Sequence, residues 1–142
     1  MHTITDSDIV LFVDDEESIL KAIDRSLSDV RFSTMFCSDS MQVMDMLEQH
    51  RINVVVTDLK MPGKNGIELV RMINAKFPHI RIIVLSGYYQ VSTVMSVTRA
   101  GKIFHFFTKP WKMDNEFISV IEKAIISSRE SGKSADGLSA QG

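Results

Sequence analysis

Ile52-Asn53-Val54-Val55-Val56-Thr57-Asp58-Leu59-Lys60-Met61-Pro62-Gly63 decides the architecture of this 142-residue chain. An apolar, β-branched run ends abruptly in an acid, and Pro62-Gly63 turns the chain into a loop almost at once. Such a run fits a strand buried on both faces. Asp58 then stands at the carboxyl end of a central strand, the edge at which open α/β sheets bind ligands. A carboxylate there is desolvated at a cost and needs a compensating partner.

The same pattern recurs on either side. Ile9-Val10-Leu11-Phe12-Val13 is fully apolar and runs into Asp14-Asp15-Glu16-Glu17. These acids open a helix, where exposed N–H groups favour negative charge. Ile19, Leu20, Ile23 and Leu27 give that helix its apolar stripe. Residues 32–37 read as a less apolar strand suited to an edge, and Ser38-Asp39-Ser40 offers a cap to a helix striped by Val43, Met44 and Leu47. Gly66 begins a third helix with Leu69, Val70, Ile73 and Phe77 inward, and Pro78 prevents its continuation. A fourth strand at 80–85 closes in Ser86-Gly87. Val91, Val94, Met95 and Thr98 share a face of a fourth helix ending near Gly101. A fifth strand at 103–108 runs into Lys109-Pro110, and Asp114 can cap a last helix that buries Phe117, Ile121, Ala124 and Ile125. Five strands alternating with five helices predict one α/β domain, a doubly wound parallel (βα)5 sheet. Its expected bounds are 9–129, with an N-terminal extension at 1–8. The small, polar stretch 130–142 reads as a disordered tail or linker, because it offers too little apolar surface to offset ordering entropy.

Composition narrows the function. A formal charge of −2 gives no reason to expect nucleic acid or an anionic membrane as a direct partner. No apolar run approaches the roughly 20 residues of a membrane span, and the start lacks the basic and apolar regions of a signal peptide. Cys37 is the sole cysteine, which rules out an internal disulfide and suits a reducing cytoplasm. Its apolar surroundings predict a buried structural thiol. The four histidines have no metal-ligand spacing. Gly132-Lys133-Ser134 lacks both the upstream glycine and the preceding strand of a phosphate-binding loop.

The chemistry concentrates at strand ends. One common layout of five βα units sets strands one and three side by side where the order reverses. Asp14, Asp15 and Asp58 then crowd one edge and repel one another unless a cation neutralises them. Oxygen ligands with room for water suit Mg²⁺. The bland alternative is that Asp14 and Asp15 only cap the first helix. Ser86 adds a hydroxyl and Lys109 an ammonium at the next two strand ends. A hydroxyl, an ammonium and a metal around one carboxylate make a site for a tetrahedral oxyanion such as a phosphoryl group.

Val13-Asp14-Asp15-Glu16, Thr57-Asp58-Leu59-Lys60-Met61-Pro62-Gly63, Leu85-Ser86-Gly87 and Phe106-Phe107-Thr108-Lys109-Pro110, in that order and strand context, closely resemble the receiver domain of two-component response regulators, over roughly residues 9–126. The resemblance implies a flavodoxin-like fold with strand order 2-1-3-4-5. It implies that Asp58 accepts a phosphoryl group from a sensor histidine kinase or phosphotransfer protein. Asp14, Asp15, Asp58 and the Lys60 backbone carbonyl would hold Mg²⁺, with Mn²⁺ as a substitute. Ser86 would then move onto the phosphoryl group and Phe106 turn inward, altering the face formed by helix four, strand five and helix five. A downstream effector protein, a linked output domain or a phosphorylation-dependent homodimer would respond. Lys60 and Tyr88 fall where the family lines the path of the hydrolytic water, and the bond between Lys109 and Pro110 would be cis. Phe106 replaces the family's frequent tyrosine, so an output contact needing a phenol hydroxyl is absent. The stretch Gly101-Lys102-Ile103-Phe104-His105, with Trp111 after Pro110, resembles the subgroup joined to signalling-enzyme outputs. Two other readings fit less well. A haloacid-dehalogenase-type phosphatase needs a second Asp where this chain has Lys60, and a receiver fold without phosphorylation would not need all of Asp14, Asp15, Asp58, Ser86 and Lys109.

Overall fold

The computed structural model describes residues 3–59, 66–86, 99, 102–108 and 113–141. Five parallel strands, β1 (Ile9–Val13), β2 (Ser33–Cys37), β3 (Ile52–Thr57), β4 (Arg81–Ser86) and β5 (His105–Thr108), form one sheet in the order 2-1-3-4-5. The apolar runs become the inner strands: Val10, Leu11, Val54, Val55, Ile83 and Val84 are all 0% exposed. Burial on both faces is why these strands read as continuous apolar runs and not as alternating ones. The less apolar β2 lies at an edge, as its composition predicts.

Two apolar layers sandwich the sheet. Helices α2 (Val43–Gln49) and α3 (Gly66–Lys76) pack Val43, Leu47, Leu69, Val70 and Ile73 against Leu11, Val13, Val55, Ile82 and Val84. On the other face, α1 (Glu17–Ser26) and the C-terminal helix (Asn115–Gln141) pack Leu20, Ile23, Phe117, Ile121 and Ile125 against Val10, Phe12, Val54, Val56 and Ile83. Phe107 stacks on Phe117 with centroids 4.5 Å apart, which joins β5 to that helix. The fourth helix expected around Val91–Thr98 lies outside the described residues, as does the bond between Lys109 and Pro110.

The register of β1 on β3 contains a step. Ile9 pairs with Ile52 but Val10 pairs with Val54, so Asn53 is an extra residue. Its side-chain Oδ1 accepts a hydrogen bond from Ile9 N–H at 2.9 Å, so that donor stays satisfied. Ile52 and Val54 accordingly belong to opposite apolar layers, although residues two apart on a regular strand share a face. From Val10 onward the register is regular and ends with Val13 beside Thr57.

Within the stretch expected as an N-terminal extension, Ile4 is buried in the second layer, Asp8 is 4% exposed, and Ser33 N–H donates to the Asp8 carbonyl at 2.8 Å. Where a disordered tail is predicted from residue 130, the backbone is helical to Gln141. No proline interrupts 115–141, and Gly132 and Gly137 weaken a helix without blocking its hydrogen bonds.

Candidate functional site at the carboxyl edge of the sheet

Two backbone hydrogen bonds extend the sheet by one residue and hold the acids in place. Asp14 N–H donates to Cys37 O at 3.2 Å, and Asp58 N–H donates to Val13 O at 3.3 Å. Because Val13 and Thr57 are register partners, Asp14 and Asp58 follow side by side on strands about 4.8 Å apart. Both are nearly buried, at 5% and 8% exposed. Asp15 is exposed beside them. Asp14 also serves the turn into α1: its Oδ1 accepts from Glu16 N–H at 2.9 Å. That bond shapes the turn before α1, whose own N-cap, Glu16, makes no side-chain capping bond.

The backbone around Asp58 is fixed from two more directions. Thr57 Oγ1 donates to the Asp58 carbonyl at 2.9 Å in a fully buried setting. Gly66 N–H donates to Leu59 O at 3.0 Å and closes the loop that leaves β3. A Cβ at Gly66 would lie 2.5 Å from Leu59 Cα and 2.8 Å from the Asp58 carbonyl oxygen, so only glycine lets α3 start this close to the acid. The sequence reads Gly66 merely as a helix start; the loop length before it holds the signal, since six residues must return the chain to Leu59.

The structure places some predicted residues and not others. Leu85 and Ser86 end β4, and Ser86 pairs with Thr108 at the end of β5. Phe106 is half-buried and packs against the first apolar layer. The Ser86 side chain, Lys60, Tyr88 and Lys109 lie outside the described residues. Cys37 is buried, and desolvation pushes its thiol above the ordinary value; the Sγ–H donates to Asp39 O at 3.0 Å. It is the structural thiol the sequence predicts.

Among the described residues no group of three or more His, Cys, Asp or Glu side chains is disposed to hold a metal ion. The two adjacent buried carboxylates are hard oxygen donors all the same. That donor set fits Mg²⁺, which keeps several waters and takes only one or two carboxylates from a protein. It does not fit zinc, which wants histidine and cysteine. No helix of the described residues is long and apolar enough to cross a membrane.

Comparison with known proteins agrees with this geometry. The profile of the response regulator receiver domain matches residues 10–122. The hydrogenase transcriptional regulatory protein HoxA of Cupriavidus necator is 29% identical over 116 residues, 82% of this chain and 24% of that protein. The chain thus spans about a quarter (24%) of that longer relative. Sporulation initiation phosphotransferase F of Bacillus subtilis is 26% identical over 105 residues, 74% of this chain and 84% of that one. A crystal structure of a response regulator receiver domain protein from Clostridium thermocellum superposes with TM-score 0.72 at 26% identity, covering 89% of this chain and 97% of the other.

Proposed function

From the premise that this chain belongs to the response regulator receiver domain family, whose members are signalling phosphoacceptors, we propose that Asp58 is its phosphoacceptor. The observation that carries the assignment is the pair of nearly buried carboxylates, Asp14 and Asp58, on adjacent strand ends. A sensor histidine kinase or a phosphotransfer protein supplies the phosphoryl group. An Asp58 carboxylate oxygen attacks phosphorus, the P–N bond of the donor phosphohistidine breaks, and the histidine takes up a proton. The product is an acyl phosphate that water later hydrolyses.

Asp14, Asp15, Asp58 and the Lys60 carbonyl would hold Mg²⁺, or Mn²⁺ in its place. When bound, the ion neutralises charge on the phosphoryl oxygens. Each residue of the chain has a further part. Glu16 N–H orients the Asp14 carboxylate. The bonds of Asp58 to Val13 and Thr57, and of Leu59 to Gly66, keep the Asp58 backbone from shifting as charge is transferred. Lys109 contributes the cation, and Ser86 donates a hydrogen bond to the transferred group. Phe106 follows Ser86 inward, and Lys60 with Tyr88 sets water access. The surface that changes is the one around β5 and the helices beside it. A downstream protein, a linked output domain or a second copy of the chain reads it, in the cytoplasm.

Incubation with Mg²⁺ and acetyl phosphate tests this by mass. Wild type should gain one phosphoryl group, and Asp58→Asn should gain none. Omitting divalent ions should abolish the adduct. Equal labelling of Asp58→Asn would sink the assignment.

A further inference from the structure

At the sheet edge opposite Asp58, a cavity of about 250 Å³ opens between α3, the start of β4, the segment entering β5 and the C-terminal helix. Arg81 is the first residue of β4 and Ser86 its last, which at 3.3 Å per residue sets the cavity about 16 Å from the phosphoacceptor edge. Arg81, Lys102, Asn74, Ser127, Phe104 and Ile80 line it.

Arg81 is half-buried and incompletely used. Its Nε–H donates to Ser127 Oγ at 2.8 Å, while Nη1 and Nη2 reach the carbonyls of Pro78 and Ser127 only at 3.4 Å. All three acceptors are neutral, and a guanidinium has five N–H donors, so at least two remain. Lys102, an exposed residue, lines the same cavity. Asn74 fixes the Lys102 backbone through both amide atoms: Nδ2 donates to Lys102 O at 3.4 Å and Oδ1 accepts from Lys102 N–H at 3.3 Å. Phe104, 37% exposed and fixed by its N–H to Ile82 O at 2.7 Å, adds an aromatic wall, and Ile80 an aliphatic one. An oxyanion in the cavity would gain a charge-assisted contact from the unused Arg81 donors and a second from Lys102 if its flexible side chain turns in. The chain carries a net negative charge, so this is no part of a generally basic surface.

We propose that this cavity is a second binding site, for a small organic anion: one oxyanion group on a single flat apolar ring. Arg81 and Lys102 take the oxyanion, with Phe104 and Ile80 against the ring. The volume sets the size, since it falls below the roughly 300–1,000 Å³ of pockets for drug-sized ligands. The site is independent of Asp58 chemistry.

Titration of the full chain in metal-free buffer, so that no phosphate gathers at Asp58, tests the proposal by amide NMR shifts and calorimetry. The probes are phenyl phosphate, benzoate, benzylamine and inorganic phosphate. A ring anion should give saturable shifts at Asn74, Lys102, Phe104 and Ser127 but not at Val13 or Thr57. Whichever of phenyl phosphate and benzoate binds more tightly identifies the oxyanion. Benzylamine should not bind, and inorganic phosphate should bind at least tenfold more weakly. Arg81→Gln and Lys102→Gln should each weaken binding about tenfold or more, the loss of one charged hydrogen bond. Lys102→Gln alters an exposed side chain and keeps the test valid if Arg81→Gln unfolds. Linear shifts, equal binding of benzylamine or of inorganic phosphate, or unchanged affinity in a folded Lys102→Gln would each overturn the proposal.

Discussion

At Gly66, helix propensity and tertiary contact pull in opposite directions. Alanine is the better helix former by about 1 kcal/mol. Its Cβ, however, would press on Leu59 Cα and on the carbonyls of Asp58 and Leu59, which are backbone atoms and cannot rotate away. Gly66→Ala is therefore expected to cost about 1–3 kcal/mol in urea unfolding, as overpacking does, and to slow phosphorylation of Asp58. A gain in stability would show that the loop yields. Cys37 gives a pH signature. Burial raises its folded pKa above the ordinary value near 9.0, so the unfolded chain loses the thiol proton first. Its contribution to stability is complete below pH 8 and is lost as pH rises through 9 toward the folded pKa. Urea midpoints of wild type and Cys37→Ala should therefore converge above pH 9; a pH-independent difference would contradict the burial effect.

Single elements differ in how openly their residues announce them. The inner strands β1, β3 and β4 were legible because burial on both faces leaves a nearly unbroken apolar run. The helix faces were legible from their period, down to Phe117, Ile121, Ala124 and Ile125. The Asp8–Arg129 pair was not. Arg129 donates through Nε and Nη2 to both Asp8 oxygens and through Nη2 to Thr3 O at 2.7 Å, while Thr5 N–H also donates to Asp8. These partners lie 121 residues apart, and no periodicity or motif links them. The pair straps the N-terminal segment to the C-terminal helix, outside the 10–122 stretch shared with the family. Breaking a fully buried pair costs about 3–5 kcal/mol; with Arg129 one-third exposed, Arg129→Met should cost about 2. Hydrogen exchange should speed up at Thr5 and Asp8 as well as along the helix near residue 129. Faster exchange at the helix alone would mean that the strap holds only one side.

For the whole molecule, the layered architecture followed from the alternation of apolar runs and helical stripes, while the strand order that sets Asp14 beside Asp58 came from the resemblance to the receiver domain. The Arg81 cavity followed from neither, since it assembles four elements whose residues each look ordinary. Stability should reside in the two apolar layers, whose last buried member among the described residues is Ile125 in the C-terminal helix. Residues 132–142 contain one large apolar side chain, Leu138, and a short helix gains little without packing. A chain ending at residue 131 should then unfold within about 0.5 kcal/mol of the full chain, as surface changes do; a loss above 2 kcal/mol would place the last turns against the domain. The extra residue in β3 has a consequence at this scale. Asn53 acts as a phase shifter: it lets α2 and Ile52 face one layer while Val54 faces the other. Only His50 and Arg51 separate α2 from β3, too short a hinge to absorb a lost residue. Deleting Asn53 would leave every acid in place and still force a choice, either turning α2 off its layer or sliding β3 by one step. The slide would carry Asp58 from beside Asp14 to the opposite face of the sheet. A residue with no part in phosphoryl chemistry thus decides whether the two carboxylates meet.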